Sequence, residues 1–126
     1  MKIKTLMIIT AVITVLFGLA FIFIPVRFLE LYGSDTVNES MKYVGQLFGS
    51  ALFTFAVLTW SARNSPDNEA RKAIALAFCL GHTTGFVVAL IAQFGGAVNA
   101  LGWSTVAVYF LIAIGFGYFR FAKSSS

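Results

Sequence analysis

The sequence predicts an all-α, polytopic membrane protein: an antiparallel four-helix transmembrane bundle with a short interfacial helix after the first span. Three observations predict it. Hydrophobic residues make up 59% of the 126-residue chain and only 11% are charged, against about 45–50% apolar and about 25% charged in soluble domains. A water-soluble globule of this length buries only about 60–70% of the surface its unfolded chain exposes, so it has no means of hiding such a composition. Finally, the apolar residues fall into four long uncharged runs rather than the alternating ten-residue segments of a strand barrel.

The runs span about 5–24, 43–60, 74–92 and 103–119, each long enough to cross a hydrocarbon core of about 30 Å as a helix. Together they make one domain, 1–126. The first run follows Met1-Lys2-Ile3-Lys4 and has a signal-peptide look, with Gly18-Leu19-Ala20 as a cleavage-like site. Apolar residues continue through Phe21–Ile24, which favours an uncleaved first helix. After it, Pro25, Phe28, Leu29 and Tyr32 share one helical face, Arg27 and Glu30 the other, and Gly33 supplies a stop. This is an amphipathic helix for the membrane interface. It serves either as a linker resting on headgroups, the reading preferred here, or as a lid or docking element. The loop before the third run carries the turn cluster Asn64–Asn68, with Asp67 as a candidate helix cap. The loop before the fourth is short and neutral.

Basic residues orient the bundle. With both termini inside, Lys2, Lys4, Arg63, Arg71, Lys72, Arg120 and Lys123 are cytoplasmic, while Arg27 and Lys42 lie outside. The inner excess selects that arrangement and predicts a multi-pass protein of a bacterial inner membrane or its equivalent. Trp60 and Tyr118 then sit at the inner interface, Tyr43 and Trp103 at the outer one. The net charge of +4 is accounted for by this orientation, and no basic-aromatic platform for nucleic acid exists. The single cysteine, Cys79, forms no internal disulfide.

Small residues mark expected helix contacts: Gly45 and Gly49 in the second run, Ala77, Gly81, Gly85 and Ala89 in the third (continuing from Ala73), and Ala113 and Gly117 in the fourth. This predicts that Gly81→Leu overpacks an interface within the chain. The third run also carries a polar line: Cys79, His82, Phe86 and Gln93 lie near one helical face. His82 is the only histidine, about 12 Å into the core by helix rise. Thr14 and Thr54 lie at similar depth, and Gln46 and Gln93 near the outer end. A metal or haem site needs more ligands than one histidine and one cysteine. A proton relay lacks an embedded carboxylate, because all five acids lie outside the runs. Two readings of His82 are left: a packing residue bonded to a threonine or a backbone carbonyl, or a polar handle facing a cavity for a lipid-like ligand. No cofactor or metal is expected, no Ser-His-Asp set can be assembled, and no phosphate-cradling loop is present. The sequence points away from an enzyme.

The first helix ending at Pro25, the run Phe28-Leu29-x-Leu31-Tyr32-Gly33, Gly45, the closing Trp60-Ser61-Ala62-Arg63, then Arg71-Lys72-Ala73 and His82 together resemble the small four-helix membrane proteins of the DoxX-like group and the ergosterol-biosynthesis scaffold family. The resemblance covers roughly residues 5–95. It implies a helper rather than a catalyst, and it carries no catalytic motif onto these positions. The first functional expectation is therefore an accessory subunit, assembly factor or scaffold, with the bilayer and other membrane subunits or a second copy as partners. The alternative is a binder or carrier of a lipid, quinone or sterol, with His82, Gln46 and Gln93 as handles. A redox or transport enzyme ranks third.

Overall fold

The structure, a computed structural model, describes residues 1–122; Lys123, counted above among the inner charges, and the closing serines lie outside the described residues. The described chain is all helical: α1 (Ile3–Phe23), α2 (Pro25–Leu31), α3 (Glu39–Ala62), α4 (Glu69–Phe94) and α5 (Gly102–Gly117), the last continuing into a π-helical turn, Tyr118–Ala122. Four of these helical stretches, the fourth running from Gly102 through the π turn to Ala122, are long and apolar enough to cross a membrane.

The four expected runs coincide with these helices, the first passing the end of α1 by Ile24 and the fourth running on into the π turn, and α3 and α4 start well before theirs. Asn38 accepts a bond from the Met41 amide at 2.8 Å, and Asn68 one from the Arg71 amide at 3.0 Å. Each side chain satisfies an amide that the first turn of a helix leaves free. Hence α3 and α4 begin several residues before their apolar runs. The cap of α4 is Asn68, not the expected Asp67. Asp67 instead pairs with Arg71 at 3.2 Å, and Arg71 also donates to the Ser65 carbonyl at 3.2 Å. These contacts fold the polar turn back onto the helix start and bury Arg71.

The helices pack as two tight pairs, α1 with α3 and α4 with α5; α1 and α5 meet more lightly. In the first pair the backbones nearly touch. A Cβ on Gly49 would lie 2.8 Å from the Gly18 carbonyl oxygen, and one on Gly18 would lie 3.0 Å from the Gly49 oxygen. Gly45 faces Phe21 in the same groove. Gly45 and Gly49 thus lie against α1 of the same chain, and Gly18, read above only as a cleavage-like residue, packs against Gly49. In the second pair Tyr109 lies on Gly85, and Gly117 leaves room for Cys79.

The small-residue line of α4 is corrected. Ala73, Ala77 and Gly81 are exposed, and a Cβ at Gly81 would meet nothing within 4 Å, so Gly81→Leu has nothing in the chain to overpack. The reason is geometric: steps of four residues advance about 400°, so a four-residue stripe drifts about 40° around the helix at each step. Only its later members, Gly85 and Ala89, reach the inside, and Ala75 and Phe78 make the buried contacts of the first half.

The core sits at the end where α1 begins and α5 finishes. Met7 and Phe116 are fully buried there, surrounded by Ile3, Leu6, Ala75, Phe78, Ile112 and Phe119. Ala113 is buried too, on the groove that Cys79 lines, and Gly115 lets Leu6 approach.

Candidate functional site

At the opposite end the two pairs stand apart around a cavity of about 240 Å³. Each of the five helices contributes to its wall. Helix α1 supplies Ile13, Thr14, Phe17 and Phe21; α3 supplies Phe48 and Leu52; α4 supplies His82, Ala89 and Ala92; α5 supplies Gly102, Thr105, Val108, Tyr109 and Ile112. The remaining wall comes from Phe28, Leu29 and Tyr32, on and just after α2, and from Val98 in the loop before α5.

The local sequence explains that cover. Pro25 starts α2 one residue after α1 ends, and a proline at the first helical position is pre-set in φ and has no amide to leave unbonded. The expected amphipathic face forms, with Arg27 and Glu30 outward and exposed. Its apolar side lies on the cavity. Phe28 packs edge-on against Phe17, Phe21 and Tyr32 at ring separations of 5.5, 4.9 and 5.5 Å. Gly33 ends the element at φ +99, a conformation that suits glycine.

The short loop before α5 fastens this cover. Asn99 donates from its side chain to the Leu31 carbonyl at 2.9 Å and from its amide to the Tyr32 carbonyl at 3.0 Å. The Thr105 hydroxyl donates to the Tyr32 hydroxyl oxygen at 3.1 Å. Sequence reading missed Asn99, Thr105 and Tyr109 because it searched for polar groups within single runs. The one available signal was Thr105 and Tyr109 four residues apart on α5, one helical face.

The candidate residues scatter more than their helical spacing suggests. His82 and Thr14 both line the cavity, but they do not bond each other. His82 Nδ1 lies 2.9 Å from the Phe78 carbonyl oxygen, and the Thr14 hydroxyl donates to the Thr10 carbonyl at 2.8 Å. The His82 ring stacks on Phe78, 5.4 Å between centroids at 19°, and Tyr109 lies 5.4 Å away. Thr54 is exposed and donates to Ser50, so it is no partner for His82. Cys79 is also separated from His82: it lines a different groove, with Thr83, Phe86 and Phe110. The two residues are about 60° apart around α4, and α5 packs along the ridge between the two faces. Gln46 joins α1 to α3 by donating to the Ile22 carbonyl at 3.1 Å. Gln93 donates to the Asn99 carbonyl at 3.1 Å and keeps its own side-chain oxygen buried beside Gly102. Both glutamines thus brace the chain around the cavity rather than line it. Among the described residues no three His, Cys, Asp or Glu side chains gather in a way that would hold a metal ion.

An all-helical bundle packed solid at one end and hollow at the other is the class of protein these features define. The chain belongs to a family described as a domain of unknown function, DUF8292, which matches residues 1–122. No curated protein and no solved structure matches the chain.

Proposed function

We propose that this is an integral membrane protein, of a bacterial inner membrane or its equivalent, whose four antiparallel spans hold a small apolar molecule in the cavity. The antiparallel reading is supported by contact partners that run in opposite directions: Gly18 with Gly49 but Phe21 with Gly45, and Phe78 with Phe116 but Phe86 with Phe110. Residues such as Leu16, Val88, Ile91 and Phe94 are more than half exposed, which suits contact with lipid tails. The charge pattern supports cytoplasmic termini.

The observation that carries the ligand reading is the cavity itself. It exceeds the roughly 150 Å³ space that holds a benzene ring, and falls just short of the roughly 300–1,000 Å³ of drug-sized sites. A ring or a branched chain fits; a whole lipid does not. Native mass spectrometry of protein released from nanodiscs tests the proposal. The wild type retains a small-molecule adduct, and Ala89→Trp, which fills the cavity, loses it while keeping its helicity. Equal spectra from the two proteins would refute it.

A second reading, the accessory subunit or scaffold, is favoured by one observation: Ala73, Ala77 and Gly81 form an open small-residue strip on α4 of the kind partner helices approach closely. Gly81→Leu would then reduce copurification of a second membrane subunit without lowering the stability of the isolated chain.

A further inference from the structure

We infer that the cavity selects an apolar molecule bearing a hydroxyl group, which donates its proton to His82 Nε2; this rests on the ligand reading above and names the chemistry of its ligand. A backbone carbonyl only accepts, so the 2.9 Å contact between His82 Nδ1 and the Phe78 oxygen puts the ring proton on Nδ1. No carboxylate lines the cavity to hold a second ring proton, and in a neutral imidazole the other nitrogen is an acceptor. Nε2 makes no hydrogen bond among the described residues. The stack on Phe78 fixes the plane of the ring, so the acceptor is held in one orientation.

The neighbouring hydroxyls do not occupy it. Thr14 spends its proton on Thr10, Thr105 spends its own on Tyr32, and the hydroxyls of Tyr32 and Tyr109, which also line the cavity, make no hydrogen bond to His82 among the described residues. An apolar ligand without a donor leaves Nε2 unpaired, a ketone or ether sets acceptor against acceptor, and an alcohol or phenol completes the site. The aromatic wall of Phe17, Phe21 and Phe28 suits a ring carrying that hydroxyl, since aromatic pairs favour edge-to-face packing.

The sole histidine makes the test direct. Protein labelled with nitrogen-15 in histidine gives one pair of imidazole signals in nanodiscs. The expected spectrum has a protonated Nδ1 and a pyridine-like Nε2. Adding para-butylphenol moves the Nε2 signal upfield, and its methyl ether, para-butylanisole, does not. In parallel, the phenol binds about fivefold to tenfold more tightly than the ether or butylbenzene, the usual worth of one hydrogen bond. His82→Phe abolishes that preference and keeps butylbenzene binding. A proton on Nε2, or equal affinities with an unmoved Nε2 signal, overturns the inference while the cavity reading stands. Failure of all three compounds to bind overturns both. The wild-type comparison needs no variant, so a misfolded His82→Phe does not blunt the test.

Discussion

The two ends of the bundle are built from the same four long helices, yet one is solid and the other hollow. At the solid end, small residues sit opposite large ones: Gly115 admits Leu6, and Ala75 lies among Phe78, Ile112 and Phe116. Side chains from both helix pairs interlock there. At the hollow end, the close approaches occur within the pairs, Gly18 on Gly49 and Tyr109 on Gly85, and large residues face each other across the gap between pairs. Phenylalanine rings line that gap without filling it. The difference shows that glycine placement decides where space is left: a close contact inside a pair does nothing to close the distance between pairs.

The comparison is broken most severely at Phe116. It is fully buried, and Phe116→Ala is expected to cost about 3–5 kcal/mol, measured by reversible unfolding in mixed micelles. Phe28→Ala, at the cavity, should cost clearly less; equal losses would mean that the hollow end is as solid as the other. Next comes Gly49→Ala. Its added methyl meets backbone at Gly18 and should cost about 1–3 kcal/mol by overpacking, read as a fall in melting temperature. Asn99→Ala removes the side-chain bond to the Leu31 carbonyl and should cost about 0.5–1.5 kcal/mol. Hydrogen exchange should rise in residues 28–33 and not around Met7. The smallest effect has the opposite sign: Gly81→Ala adds a methyl in open space and should stabilise by about 0.5–1 kcal/mol through helix propensity. A fall in stability there would place α4's open strip inside the bundle after all.

Hydropathy alone made the four long helices legible, because apolar length and absence of charge need no tertiary information. The ends of α3 and α4 were less so, since Asn38 and Asn68 cap the helices within polar sequence that a hydropathy reading discards. The amphipathic face of α2 was readable from Pro25 to Gly33. What that face covers was not, because the answer depends on Asn99, almost seventy residues away. The same gap explains the candidate site. His82 was visible as an embedded polar residue, but Thr54 joined it by depth alone, and Cys79 by a three-residue spacing that still leaves the two about 60° apart around α4. Rotational position is settled by the neighbouring helix, and α5 divides α4's polar line between two faces.

The bond between Asn99 and Leu31 joins residues 68 positions apart in the chain, which sets an order on synthesis. When α1, α2 and α3 have emerged from the ribosome, α2 packs on α1 through Phe28 but its Leu31 carbonyl has no partner at residue 99. It gains one only after α4 and the loop behind it have followed. The latch on α2 is therefore set only once the loop before α5 is made, and a nascent chain halted before residue 99 leaves its aromatic chamber unlatched.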